Sequence, residues 1–281
     1  MTKRNLFSSL AVITAIAAAP STGTAQARYA QHTHGDGGHG VTLHVDTRWK
    51  ECSFKLDPSL TPQAWRQFTQ EAGIVAYFRP IADARPMGRG NWEVSAMQWK
   101  TNIDDTDAAW NDTFVHPDSA HWLFEGSGLQ FPGLMARAGV SKKIDVGAYV
   151  TKNPNANYGF FGAQMQYNLA NDEKKGWAAS VRGSFVSLYG PEDVDFTVYG
   201  ADVVGSKRFT AGRLAVSPYA TVSTYLSASR EKSAVVNLSS ENVLGAMGTV
   251  GVSSEFSVAR VGVEYSVAKV QSLSLKLGVG F

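Results

Sequence analysis

The residues of this sequence that could do chemistry are charged side chains placed among apolar ones. Six of them occupy segments in which polar and apolar residues alternate: Arg137, Asp145, Arg182, Arg260, Glu264 and Lys276. Because successive side chains of a β-strand point to opposite faces, all six belong to the polar face of their strands. If the apolar face meets lipid, these charges line a barrel interior, where they either select solutes or form ion pairs that fill a narrow lumen. Small barrels commonly fill their interiors, which favours the second interpretation.

A second set of candidate residues is acidic. Between Lys100 and Arg137 there is no lysine or arginine, but there are six acidic residues: Asp104, Asp105, Asp107, Asp112, Asp118 and Glu125. Carboxylate oxygens suit divalent cations, yet this spacing matches no EF-hand. We therefore favour a solvated acidic outer loop over a calcium site. Aromatic residues in the same stretch predict that the loop folds onto the barrel, where it could narrow a pore.

The histidines give weaker signals. His32, His34 and His39 lie among glycines near the start of the chain, and imidazoles of this kind can capture Zn, Cu or Ni. No fixed geometry holds them, so we favour a disordered periplasmic tail and predict no cofactor. His116 and His121 lie in the acidic loop, but no G-x-S-x-G motif accompanies them. The sequence therefore predicts no enzyme, with a lipid hydrolase or acyltransferase as a minor alternative.

The start of the sequence is typical of a cleaved secretory signal over residues 1–27. Lys3 and Arg4 precede an apolar run from Leu10 to Ala19, and small residues surround Gln26. The whole chain of 281 residues has 26 basic and 24 acidic residues. Without Lys3 and Arg4, 26 minus 2 leaves 24 basic residues against 24 acidic ones, so the mature chain is formally neutral and a nucleic-acid partner is not predicted. The single cysteine excludes a disulfide scaffold.

Beyond residue 27 the chain alternates rather than forming the run of about 18 apolar residues that a membrane helix needs. Leu273, Leu275, Leu277, Val279 and Phe281 share one face of the last segment. Comparable runs predict twelve strands, long enough to cross a hydrocarbon layer at a tilt, that begin near residues 41, 74, 91, 134, 144, 159, 177, 194, 214, 243, 258 and 271. Ten strands are the alternative, because 243–253 is rich in glycine and 74–80 is short and ends at Pro80.

Three further local predictions follow. A helix is expected to begin at Pro62 with Thr61 as its N-cap, and to end at Gly73. With an even strand number, residues 51–73, 103–133 and 229–242 fall outside, while 141–143 and 211–213 are short periplasmic turns. A three-residue turn at 269–271 would place Glu264 directly across from Lys276, since opposite residues on paired strands lie about 5 Å apart.

The signal-like start, the long alternating strands and the aromatic end of the last strand resemble those of Gram-negative outer-membrane β-barrel proteins. Leu277, Val279 and Phe281 resemble the signal that the barrel-assembly machinery recognises in that class. The resemblance implies a place in the bacterial outer membrane, with outer-membrane lipid and the assembly machinery as partners. The expected organisation is a signal peptide at 1–27, a His/Gly-rich flexible tail at 28–40 and one barrel domain at 41–281.

The predicted function is passive transport. In this hypothesis the barrel is a narrow channel or transporter for small polar solutes, the lumen charges contact the solute, and the acidic loop favours cations. The alternative is a non-conducting structural or adhesive surface barrel with a plugged lumen. A lipid-modifying barrel enzyme and a soluble periplasmic β-protein are less favoured.

Overall fold

The computed structural model describes residues 53–104, 106–115, 129–152 and 156–281, together with the backbone of two short strands nearer the start of the chain. In chain order the elements are β1 (Ala30–His32), β2 (Leu43–Val45), β3 (Ser53–Phe54), α1 (Pro62–Val75), β4 (Trp92–Asn102), α2 (Ala108–Asn111), β5 (Phe114–Val115), β6 (Leu129–Gly139), β7 (Ile144–Lys152), β8 (Gly159–Asp172), β9 (Trp177–Tyr189), β10 (Val194–Lys207), β11 (Phe209–Ala211), β12 (Leu214–Glu231), β13 (Glu241–Phe256), β14 (Ala259–Val267) and β15 (Gln271–Gly280). The predicted signal peptide and most of the tail lie outside the described residues.

Ten of these strands form a closed antiparallel barrel, which confirms the predicted fold class. Strands β4, β6, β7, β8, β9, β10, β12, β13, β14 and β15 each pair with the next, and β15 pairs with β4 from Gln271↔Asn102 to Gly280↔Glu93 to close the ring. The short β11 pairs only with the start of β12. Neither helix in the described part of the chain is long and apolar enough to span a membrane.

The strands of the barrel carry their apolar side chains on the outside. In β8, Phe161, Met165 and Leu169 are exposed, while Gln164 and Gln166 between them are buried. A water-soluble protein would reverse this arrangement, because burying amides while exposing large hydrophobic side chains costs free energy in water. Against hydrocarbon the same arrangement is favourable, so the outer surface is a lipid-facing belt around a polar interior.

The two ends of the barrel differ in the length of their connections. At one end, which we call the short-turn end, the strands are joined over residues 140–143, 173–176 and 257–258, and both the start of β4 and the end of β15 lie there. At the other, long-loop end, the connections include residues 103–128 and 232–240. Outer-membrane barrels have short periplasmic turns and longer extracellular loops, so the long-loop end faces outward.

Two of the twelve predicted strands are not part of the barrel. The barrel has ten strands, as in the alternative prediction. The run that begins near residue 41 contributes β2, which pairs with β1 rather than with a barrel strand. Residues 74–80 form the last turn of α1 and the segment that follows it inside the barrel. That segment combines apolar residues with the buried Arg79. It is surrounded by the barrel wall and therefore has no solvent-facing or lipid-facing side.

Helix α1 begins as the sequence predicts but ends later. Thr61 accepts a hydrogen bond from the Ala64 amide at 3.2 Å, and the helix continues through Gly73 to Val75. Gly73 is needed for close packing rather than for termination, since a Cβ there would lie 2.7 Å from Cε2 of Tyr225 in the wall. The helix was expected in an outer loop; instead it fills the mouth of the barrel at the long-loop end, with Trp65 and Phe68 completely buried.

After α1 the chain passes through the lumen. Residues 76–87, which we call the plug, run from the long-loop end to the short-turn end, where the Gly90 amide donates to the Gly139 carbonyl and β4 begins. Residues Ala76 to Ala84 are all buried. Residues 53–61, which precede α1, therefore lie at the long-loop end, where β3 pairs with β5 of the loop between β4 and β6.

Candidate functional site: the occupied lumen

The structure places five of the six predicted lumen charges inside the barrel. Arg137, Asp145, Arg182, Glu264 and Lys276 are all buried. Arg260 differs, because it lies at the start of β14, where the lumen opens at the short-turn end. It is only partly buried, and its guanidinium donates to the carbonyls of Ser257 and Ala259.

The predicted pairing of Glu264 with Lys276 is wrong. The turn between β14 and β15 pairs Val267 with Gln271, which shifts the register by two residues and sets Lys276 opposite Gly262. Lys276 Nζ instead lies 2.7 Å from Oε1 of Glu93 on the other neighbouring strand, β4. Glu264 accepts a hydrogen bond from the Tyr219 hydroxyl at 2.8 Å. Lys276 is thus ion-paired, and Glu264 hydrogen-bonded, within the wall.

At the long-loop end, aromatic side chains hold the start of the plug. The Trp99 indole N–H donates to the Val75 carbonyl at 2.9 Å, and the Tyr149 hydroxyl donates to the Ala76 carbonyl at 3.1 Å. Tyr77 of the plug donates to Asp202 of β10 at 2.6 Å. The bonds from Trp99 and Tyr149 satisfy backbone carbonyls that a buried helix end would otherwise leave unpaired.

Arg79 links the plug back to α1. Its guanidinium is buried, donates to the carbonyls of Ile74, Val75 and Tyr77, and lies 6.0 Å from the centre of the Trp99 ring. A cation at the C-terminal end of a helix interacts favourably with the helix dipole and with the last carbonyls. Arg79 therefore fixes the bend at which the helix ends and the extended plug begins.

Three of the predicted lumen charges bind the plug itself. Lys276 donates to the Pro80 carbonyl at 3.2 Å. Arg182 donates to the carbonyls of Ala82 at 2.6 Å and Asp83 at 2.9 Å. Asp145 accepts from the Met87 amide at 3.0 Å. These bonds come from β15, β9 and β7, so the wall holds the plug from different sides of the ring.

Polar uncharged residues complete the contacts at the short-turn end. The Ala84 carbonyl accepts from Asn168 at 3.1 Å, and the Ala84 amide donates to the Ser206 hydroxyl at 3.2 Å. Arg85 reaches Ser217 of β12 at 3.1 Å. The backbone of the plug thus exchanges hydrogen bonds with the wall much as a strand does in a sheet, but with side chains as its partners.

Close approach of the plug depends on glycines whose missing side chains would point inward. A Cβ at Gly262 would lie 2.7 Å from Cγ2 of Ile81, and one at Gly200 would lie 2.6 Å from the Tyr77 ring. Gly162 similarly makes room for Phe78. Small residues at these wall positions were the signal in the sequence for an occupant of the lumen, and sequence reasoning missed it.

Cavities lie beside the plug in the described part of the barrel, and two of them bear on its function. The larger, of about 630 Å³, lies at the short-turn end and is lined by the lower part of the plug and the surrounding wall. The smaller, of about 10 Å³, lies between Arg79 of the plug and Asp202 and Glu264 of the wall. Between the larger cavity and the long-loop end, residues 76–81 of the plug are buried against the wall.

The described part of the acidic loop is folded onto α1. Asp107 caps α2 by accepting from the Ala109 amide at 2.9 Å and also accepts from Gln67 of α1 at 3.0 Å, while Asp112 follows the last residue of α2. Asp104 is exposed, and its hydrogen bonds from Thr106 lower the pKa of its carboxyl. The described residues contain no group of three or more His, Cys, Asp or Glu side chains that could hold a metal ion. Asp105, Asp118 and Glu125 lie outside the described residues.

The histidine hypotheses stay predictions. The backbone of His32 lies in β1, where it pairs with Leu43. His34, His39, His116 and His121 lie outside the described residues.

The proposed assembly signal lies on the lipid-facing side of the last strand. Leu277, Val279 and Phe281 are exposed on the outer surface. The Phe281 amide donates to the Trp92 carbonyl at 2.9 Å, and the two rings lie 4.9 Å apart. The end of the chain therefore completes the seam between the last strand and the first.

A closed antiparallel barrel with an apolar exterior and a polar, charged interior is an outer-membrane β-barrel. Within that class, this chain has a lumen filled by its own amino-terminal segment.

The chain has distant matches among solved structures. The β domain of the Bordetella autotransporter BrkA matches with a TM-score of 0.41 and 9% identity, covering 69% of this chain and all of that one (100%). A KdgM porin matches with a TM-score of 0.32 and 8% identity over 67% of this chain and 99% of that one. The outer membrane protease OmpT from Escherichia coli matches with a TM-score of 0.32 and 7% identity over 68% of this chain and 94% of that one.

No family model matches the chain, and no curated protein matches it in sequence. The structural matches differ in function and are distant, so the function has to be inferred from the lumen itself.

Proposed function

We propose that this protein is a non-conducting outer-membrane barrel, sealed by its plug, that holds its amino-terminal segment and long loops at the outer surface. This is the structural or adhesive alternative of the two passive functions that the sequence allows. The observation that supports it is the bonding of the plug, whose backbone is held by buried wall residues such as Asp145, Arg182 and Lys276. A channel would require this segment to leave the lumen.

Leaving the lumen would be costly. A hydrogen bond to a charged group contributes about 1.5–3 kcal/mol, and removing one partner of a buried pair costs the desolvation of the other. Loss of only three such contacts would keep the open population below about one molecule in a thousand. Tyr77, Phe78 and Ile81 would also lose their burial. A spontaneously open pore is therefore not expected.

The path of the chain supports display at the outer surface. Residues 53–61 lie at the long-loop end, where the side chain of Asn157 exchanges two hydrogen bonds with the backbone of Phe54, at 3.0 and 2.9 Å. For the preceding tail to reach the periplasm, it would have to cross the lumen a second time, and the plug already occupies that space. We therefore place the tail of residues 28–40 outside, contrary to the periplasmic tail expected from the sequence.

Conductance of the refolded protein in planar bilayers tests the seal. A protease site inserted after the exposed Arg89, at the short-turn end, would separate the plug from β4. We expect no single-channel steps before cleavage, and steps after cleavage followed by a urea wash that releases the plug. The same site inserted at Lys174 in the turn between β8 and β9 is the matched control, because cleavage there leaves the plug joined to β4. Steady single-channel steps from the uncleaved protein would contradict the proposal.

Surface labelling tests the display. An epitope tag inserted after Gly40 should bind antibody on intact cells, because we place that segment at the outer end. The same tag in the turn at 173–176 should bind only after the outer membrane is permeabilised. If both tags bind antibody on intact cells, or both only after permeabilisation, the tail and the short turns lie on the same side of the membrane, which would contradict the proposal.

A further inference from the structure

The larger cavity opens at the short-turn end of the sealed lumen. Its volume of about 630 Å³ is within the usual range for pockets that bind small molecules. Plug residues between 82 and 87 form one side of the cavity, and Glu93, Arg137 and Lys276 of the wall line it as well. A solute from the periplasmic side could enter this cavity while the plug keeps the barrel closed.

Arg137 faces this cavity with unused hydrogen-bond donors. Its side chain is only 5% exposed, and its nearest carboxylates, Glu93 and Asp145, lie at 3.8 and 3.9 Å, which is beyond hydrogen-bond distance. Both carboxylates are engaged elsewhere, Glu93 with Lys276 and Asp145 with the Met87 amide. Arg137 therefore forms two long ion pairs, and no hydrogen bond from its side chain to a described residue accompanies them. Because a guanidinium has five N–H donors, a buried one without any such bond has its capacity free for a ligand.

A second arginine facing the cavity is also incompletely paired. One nitrogen of Arg85 donates to Asp83 at 2.9 Å and to Ser217 at 3.1 Å. Its Nε is buried and has no partner. Two guanidinium groups, one from the plug and one from the wall, thus line the same cavity.

The charge around the cavity favours anions. Basic side chains outnumber acidic ones in its lining: Arg85, Arg137, Lys174, Lys175, Arg208, Arg260 and Lys276 against Asp83, Glu93, Glu173 and Glu255. A cleft lined by an excess of one charge and surrounded by low-dielectric walls concentrates counter-ions of the opposite charge. Lys174 and Lys175 are exposed at the rim, where they would attract an anion toward the buried arginines.

We propose that this cavity is a binding site for a small solute that carries an oxyanion group, either a carboxylate or a phosphate, and that Arg137 is its main ligand. The planar guanidinium matches both groups with two parallel N–H···O bonds, and Arg85 supplies a further donor. The ligand enters from the periplasm, so this site functions independently of the proposed display at the outer surface.

Equilibrium dialysis of the folded protein in detergent tests the site, with inorganic phosphate and succinate as separate probes and glycerol as the neutral one. We expect saturable retention of phosphate, succinate or both, weakening as salt is raised, and the two probes distinguish the phosphate class from the carboxylate class. Arg137→Gln should lower the affinity at least about tenfold, because it removes charge-assisted hydrogen bonds to the anion. Arg66→Gln is the matched control, because Arg66 is exposed on α1 at the opposite end and pairs with Glu241.

Retention of both anions no greater than that of glycerol would overturn the proposal, and so would unchanged affinity in Arg137→Gln. The difference in gel mobility between heated and unheated samples verifies that each variant is folded. Arg137→Lys gives a second test if the glutamine variant fails to fold, because it keeps the charge and removes the planar fork. We expect a loss of at least threefold for that variant, and an unchanged affinity would equally contradict the assigned role of Arg137.

Discussion

The two halves of the lumen are built in different ways although the same strands surround both. At the long-loop end, α1 and the start of the plug pack against aromatic residues of the wall, such as Trp99 and Phe131, in one hydrophobic cluster. At the short-turn end, the plug is held by Asp145, Arg182 and other polar groups, and a large cavity remains. The difference agrees with the two roles that we propose, a seal formed by apolar packing at the outer end and a binding site formed by charged groups at the periplasmic end.

The largest expected effect comes from the dry half. Phe68→Ala removes a fully buried ring that contacts Trp65, Trp110 and Phe54, and we expect a loss of about 3–5 kcal/mol in the free energy of unfolding. Urea unfolding of the protein in lipid vesicles, followed by tryptophan fluorescence, measures it. Phe161→Ala on the lipid-facing side of β8 is the control and should cost much less. Equal losses would show that α1 does not form a core.

A smaller effect is expected from the polar half. Arg182→Gln removes the bonds to the Ala82 and Asp83 carbonyls and should lower the free energy of unfolding by about 1.5–3 kcal/mol. The same urea titration measures this loss, and proteolysis at Arg89 should become faster because the lower plug is less firmly held. A variant as stable as the parent would contradict the role of Arg182 in holding the plug.

Overpacking one wall position tests the fit of the plug between the two halves. Gly262→Val places a side chain within 2.7 Å of Ile81 and should cost about 1–3 kcal/mol. Gly248→Val is the matched control, since a Cβ at Gly248 meets no atom within 4 Å. Thermal stability in detergent, measured by the gel-mobility difference, should fall only for the first variant. A fall in both would indicate an effect of valine in the strand rather than of contact with the plug.

The smallest expected effect concerns the start of α1. Thr61→Ala removes the N-cap bond to the Ala64 amide and should cost about 1 kcal/mol. Thr61→Ser keeps the hydroxyl and should restore most of the loss in the same urea titration. If the serine variant is no more stable than the alanine variant, the cap contributes nothing at this position.

Much of the barrel could be predicted from the sequence because strand alternation is a local property. All ten barrel strands begin near predicted positions, and the polar face of each is visible in its residue pattern. The two extra strands were errors of a different kind. Residues 74–80 are apolar enough for a strand, but their burial inside the ring depends on ten other segments, and no local period reports it.

The candidate site was harder to predict for the same reason. Asp145, Arg182 and Lys276 were assigned to the interior by alternation alone, but what they bind depends on a segment far away in sequence. The prediction for Lys276 depended on the length of the turn between β14 and β15, and the register was wrong by two residues. Glu264 is therefore the predicted partner of Lys276, whereas Glu93 is the observed one. Gly200 and Gly262 on the inward face were the visible hint of an occupant.

The position of the plug before β4 in the chain has a consequence for biogenesis. Helix α1 lies in the mouth of the barrel at the long-loop end. An α-helix with its side chains is about 10–12 Å wide. If the ring closed first, α1 and the residues before it would have to pass through a narrow opening. The contacts of the plug with the wall could form only after that passage. It is simpler for the strands to assemble around the segment and for the seam between β15 and β4 to join at the end. In this order the plug is already inside when the ring closes. The final topology, with residues 76–87 passing through the barrel, then depends on which parts of the chain fold first.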